Sequence, residues 1–147
     1  MSTVSLRAVT EDNLNDVIAL KVAPHQENSV APNVKSLAEA AVADEVMFRA
    51  IYADEEPVGF LMLSERRSVP RYYLWRFMID ADHQGKGYGA AAMRLLIEYV
   101  RELPNATELF LSYVPGDATP GPFYAKLGFV DTGRVQGGEN EAVLALN

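Results

Sequence analysis

The chain has 147 residues, 49% hydrophobic and 22% charged, the proportions of one ordinary globular domain long enough to bury a core. Its net charge of −7 argues against a nucleic-acid footprint and favours a cationic small partner, while the absence of cysteine excludes disulfides and thiolate metal sites. With two isolated histidines and no apolar run of membrane-spanning length or signal-like apolar start, no metal is expected and a cytoplasmic protein is.

Residues 4–9 alternate as a strand does. Thr10, Glu11 and Asp12 then supply an N-cap and first-turn acids for a helix that turns Leu14, Val17 and Ile18 inward. Residues 23–33 hold two prolines and little periodicity, which predicts a loop with at most one short helical turn. Ser36 and Glu39 have capping-box spacing for a short alanine-rich helix ending near Ala43. Residues 47–53 and 58–64 read as an antiparallel hairpin turning through Asp54-Glu55-Glu56-Pro57, and 72–79 as the next strand. Met93, Leu96, Ile97, Val100 and Leu103 recur at helical spacing until Pro104-Asn105. Residues 108–114 form a strand stopped by Pro115, and 120–128 a short helix with proline at its start and glycine past its end. Strands at 129–133 and 141–146 close the chain. The expected fold is mixed α/β of the α+β type, a mostly antiparallel sheet flanked by helices in a single domain spanning 1–147.

Between the strand at 72–79 and the long helix lies Asp82-His83-Gln84-Gly85-Lys86-Gly87-Tyr88-Gly89-Ala90. Unpaired backbone N–H groups and the positive end of the helix dipole meet there, and glycines let the backbone approach a ligand, so the turn suits a phosphate. A P-loop would need Ser or Thr after Gly-Lys, and the dinucleotide fingerprint would need the third glycine one residue later. The residues fit Gln84-x-x-Gly87-x-Gly89 instead. This resembles the acyl-CoA pyrophosphate loop of the GNAT superfamily of N-acetyltransferases. Phe123-Tyr124-Ala125-Lys126-Leu127-Gly128-Phe129 resembles that family's Tyr-x-x-x-Gly-Phe signature, and the element order matches over nearly the whole chain. Residues 26–33 and Gly137-Gly138-Glu139 are similar to a bacterial spermine/spermidine acetyltransferase subgroup.

The resemblance implies acetyl-CoA as co-substrate and direct transfer to a primary amine, with a polyamine such as spermidine as the acceptor. No nucleophilic serine or cysteine constellation argues for a covalent acyl-enzyme. Backbone groups of Met78 and Ile79 would contact pantetheine and help stabilise an oxyanion, while Gln84, Gly85, Lys86, Gly87, Tyr88, Gly89 and Ala90 would hold the pyrophosphate. Tyr124 is the candidate general acid. A phenol near ~10 stays protonated at neutral pH, but handing its proton to a thiolate near ~8.5 is uphill by about 2 kcal/mol unless a dry site raises the thiolate's basicity. Asp117 stands where the family has an asparagine that binds the pantetheine arm, and an ionised carboxylate cannot donate, so anchoring there is expected to differ; Pro120 replaces a frequent alanine.

For the general base Glu27 comes first, with Glu139, Glu65 and a water chain as alternatives. Arg76, inside an apolar strand, is expected to need Glu27 or Glu139 as a partner, and Glu27, Arg76 and Glu139 together form the expected amine side. Two rival readings stand beside the small amine: acetylation of a protein N-terminus or lysine, and a non-catalytic acyl-CoA sensor. A small-molecule partner is expected, with no nucleic acid or membrane; a homodimer is an allowed assembly.

Overall fold

The computed structural model describes residues 2–116 and 119–146. Seven strands form one sheet in the order β1-β2-β3-β4-β5-β7-β6. They are β1 (Val4–Arg7), β2 (Val46–Ala53), β3 (Glu56–Arg66), β4 (Arg71–Ile79), β5 (Glu108–Tyr113), β6 (Val130–Gln136) and β7 (Glu139–Ala145). Helices α1 (Leu14–Ala19) and α2 (Asn33–Val42) cover one face, and α3 (Tyr88–Arg101) and α4 (Gly121–Lys126) the other. Pairing in the described sheet is antiparallel except between β4 and β5, which α3 joins as a crossover. The mixed, mostly antiparallel sheet is therefore as the sequence implies.

The apolar stripe of α3 buries Ala92, Met93, Leu96, Ile97 and Val100 against β2, β3, β4 and β5. Each large side chain there contributes about 1.5–3 kcal/mol, enough to fix the helix on the sheet. The opposite face buries Val17, Ala50, Tyr52, Phe60, Met62 and Met78 under α1 and α2. Two details aim the end of β4. Met62 pairs with Arg76 while Leu63 pairs with Leu74, so Trp75 is an extra residue, a bulge that switches which side chains face which layer. Gly59 lies opposite Ile79, where a Cβ would sit 2.4 Å from the Met78 carbonyl oxygen, so only glycine lets the strands approach this closely.

Four local expectations are corrected. Asn33, not Ser36, opens α2, because Pro32 supplies the extended residue before the helix. Ser36 is wholly buried one turn in, bonding back to the Pro32 carbonyl, and forms no capping box. Leu14 is exposed: α1 is only six residues long and buries Val17 alone. The last two strands are longer than expected and turn through Gly137 and Gly138, both at positive φ, so Glu139 opens β7. Residues 24–29, expected as a loop with at most one turn, form a 3-10 helix, Pro24–Ser29.

Candidate active site

β4 and β5 pair only at Tyr73 with Phe110 and Leu74 with Leu111. Beyond Leu74 the strands part, and the β4 edge from Trp75 to Ile79 faces a cleft of about 860 Å³. Its floor is the split sheet. The glycine turn before α3, Phe123 and Tyr124 of α4, and the 3-10 helix with Val30 to Pro32 border the cleft.

At the α3 end the chain presents backbone. Gly87 caps the helix at φ 83°, with no side-chain cap, and no acidic residue occupies the first turn. Gly85 also has positive φ, and a Cβ at either glycine would meet nothing within 4 Å, so the loop surface is open. First-turn N–H groups that have no acceptor in the helix, together with the helix dipole, make an anion cradle. Asp80, at the end of β4, holds this loop: its carboxylate accepts from the Lys21 amide at 2.9 Å, the Asp82 amide at 3.2 Å and His83 Nδ1 at 3.1 Å. Burial would raise that carboxyl, but the hydrogen bonds from Lys21, His83 and Asp82 outweigh it and hold the group below its ordinary value.

The α4 wall is aromatic. Phe77 stacks on Phe123 at 5.9 Å, and Phe123, Phe129 and Tyr113 surround the Tyr124 ring at 5.3, 5.9 and 6.4 Å. Tyr124 is 8% exposed and lines the cleft. Burial pushes its phenol far above the ordinary value, so it is protonated at any physiological pH. Neighbouring Tyr113 donates to Asp131 at 2.7 Å, and that bond together with burial raises its phenol too.

Charged side chains supply another part of the lining. Glu27, Lys35, Arg76 and Glu139 all line the cleft. The Arg76 guanidinium donates to Glu39 of α2 at 2.9 Å and to the Trp75 carbonyl at 3.1 Å. Its Nε is the only buried side-chain nitrogen or oxygen among the described residues without a hydrogen-bond partner.

Residues 11–129 match the acetyltransferase (GNAT) family. The chain belongs to that family. This GNAT chain is 27% identical over 139 residues to the spermine/spermidine N(1)-acetyltransferase of Bacillus subtilis, covering 90% of this chain and 91% of that one. The spermidine N-acetyltransferase from Vibrio cholerae, solved in complex with CoA and spermine, shares the fold at TM-score 0.72 and 16% identity, covering 97% of this chain and 95% of that one. Arabidopsis thaliana Naa50, solved with the bisubstrate analogue CoA-Ac-MVNAL, does so at TM-score 0.66 and 24% identity, covering 95% and 96%.

The chain is an acetyl-CoA-dependent N-acetyltransferase, and acetyl-CoA is its co-substrate. The residues present fit that group: an uncapped helix N-terminus for a pyrophosphate, an unpaired strand edge for an amide-bearing arm, and a cleft reaching the buried tyrosine.

Of the residues expected at the cofactor, Met78, Ile79, Gln84, Gly85, Gly87, Tyr88, Gly89, Ala90 and Tyr124 line this cleft. Lys86 is exposed on the loop outside the lining, and Asp117 lies outside the described residues. Glu27, Arg76 and Glu139 line the same cleft. Two expectations fail there. Arg76 pairs with Glu39, not with Glu27 or Glu139, because the bulge at Trp75 turns it towards α2. Glu65 is not a base in the cleft: it is buried elsewhere, accepting from Tyr99 at 2.9 Å and from Arg67 at 2.9 Å. Sequence reading also misses Gln26 and Lys35 in the lining, for which no local pattern gives a signal. His83 is also missed, although its spacing of three from Asp80 is a signal for that pair.

Proposed function

We propose that this enzyme acetylates a compact polyamine, with spermidine as the model acceptor. Support comes from the curated relatives' activity, at 27% identity over most of both chains, and from one geometric observation. Two carboxylates without a basic partner among the described residues, Glu27 and Glu139, line the cleft. A polyamine can leave one amine neutral for attack while its other ammonium groups pair with such carboxylates, so binding energy orients the nucleophile.

When bound, acetyl-CoA supplies a thioester carbonyl as the electrophile. In this proposal the N–H groups at the α3 N-terminus hold the pyrophosphate, and the free β4 edge at Met78 and Ile79 orients the arm and donates to developing negative charge. Glu27, directly or through water, takes the proton that the attacking amine loses, and Glu139 pairs with a remote ammonium. Tyr124 holds a proton at its phenolic oxygen and gives it to the departing sulfur. The aromatic wall acts in both directions here. It keeps the phenol protonated, and it makes the phenol a weaker acid, so transfer depends on the sulfur sharing the dry environment and gaining basicity with it. Glu39 neutralises Arg76, which would otherwise repel a polycation from the floor.

The reading is tested by kcat/KM for spermidine, a monoamine of similar length, free lysine and an amino-terminal peptide, each at two ionic strengths. Glu27→Gln and Glu139→Gln should each raise KM for spermidine about 2- to 5-fold, the scale of one solvent-screened charge pair, and raise it less for the monoamine. Added salt should narrow that difference. Preference for the peptide, or an equal response of all four acceptors to both substitutions, would remove the polyamine and leave the acetyltransferase.

A further inference from the structure

The Gln84 side chain is turned away from the phosphate cradle. Its Nε2 donates to the Ile79 carbonyl at 2.9 Å and to Gln26 Oε1 at 2.8 Å. A side-chain amide has two N–H groups, and both are spent. The reverse orientation would set its oxygen against two others. The Gln26 oxygen also accepts from the Ala23 amide at 3.1 Å, so one oxygen joins the start of the 3-10 helix to the glycine turn. The next residue of that helix is Glu27. Upstream, the Lys21 amide and carbonyl bond to Asp80 and to the Ala81 amide, at 2.9 and 2.7 Å, which fixes the root of the same segment. Of these contacts, Gln84–Gln26 is the one that reaches the 3-10 helix itself.

We infer that Gln84 is a positioning residue for the acceptor end of the cleft. Through Gln26 it makes the placement of Glu27 depend on whether the glycine turn is held by cofactor. The turn between Gln84 and α3 is short and has two glycines at positive φ, so its free form has backbone freedom that bound phosphate removes. Fixing Gly85 to Gly89 fixes Gln84, and Gln84 then holds the Gln26 oxygen. Cofactor and amine are thereby coupled through one amide contact, by a factor that one neutral hydrogen bond sets at about 3- to 10-fold. This rests on the amine lying at the Glu27 end, so the test reads the segment directly and needs no amine.

Hydrogen exchange is followed at the amides of residues 21–31 with and without saturating CoA, in the wild type, Gln84→Met and Gln84→Arg; calorimetry on the same samples verifies saturation. Methionine keeps the length and removes both donors, whereas arginine restores donors. CoA should slow exchange of the Gln26 amide in the wild type and in Gln84→Arg, and about 3- to 10-fold less in Gln84→Met. Equal slowing in all three, no slowing in the wild type, or failure of arginine to restore it would each overturn the inference. A wild type that binds no CoA would instead overturn the cofactor assignment, and calorimetry separates the two failures.

Discussion

The cleft is built from two kinds of surface. Beside α3 it is main chain: an uncapped helix N-terminus, glycines at positive φ and a strand edge without a neighbour. Elsewhere it is side chain: Glu27, Lys35, Arg76 and Glu139, carried on four separate segments of the chain. A backbone surface is specified by local sequence, because glycine spacing and helix periodicity are local. A side-chain surface is specified only once distant segments meet. The first kind suits a ligand shared by a whole family, and the second can be revised one residue at a time to fit a different acceptor.

If the contrast is correct, substitutions on the two surfaces should fail in different ways. The largest effect is expected on the backbone surface. Gly87→Val forces a β-branched residue to φ 83° and directs its side chain into the open space before α3, so CoA affinity should fall about 10-fold or more by calorimetry. Gly133→Val is the control: its φ is 90° with equally open surroundings, but it lies in the exposed edge strand β6, so it should cost stability and leave CoA affinity unchanged. Equal loss of affinity in both would mean that strain, not cofactor approach, is being measured.

The smaller effect belongs to the side-chain surface. Glu39→Gln leaves the Arg76 guanidinium without its carboxylate, and the pair is 17% and 31% exposed, so the loss should be about 1–2 kcal/mol by denaturant unfolding, less than for a fully buried pair. Adding Arg76→Met should recover most of that loss, since the cost lies in stranding the charge. A double variant less stable than Glu39→Gln would show the arginine to be held by something other than this pair.

The legibility of the sequence follows the same division. The α3 stripe, the glycine turn and the Phe123–Phe129 stretch could be read directly, and with them the fold and the main-chain side of the cleft. The bulge at Trp75 could not, because an extra residue in a strand shows only in its pairing register. That hidden residue also directs Arg76 to Glu39, a partner the strand pattern alone does not indicate. Ser36 and Glu39 had capping-box spacing, yet Pro32 starts the helix sooner and Glu39 is engaged by Arg76, so tertiary contacts overrode the local signal. Glu65 offered a carboxylate of the right type, but Tyr99 and Arg67 hold it away from the cleft.

Tyr124 lines the same cleft, and its hydroxyl is expected to matter for chemistry and not for holding cofactor. The most direct test measures CoA affinity and kcat on the same preparation of Tyr124→Phe, under conditions where the chemical step limits turnover. Affinity should stay within about 2-fold of the wild type while kcat falls about 10²-fold, the usual scale for one general acid. A wild-type kcat, or a loss of affinity as large as the loss of rate, would contradict the separation of binding from chemistry on which the account stands.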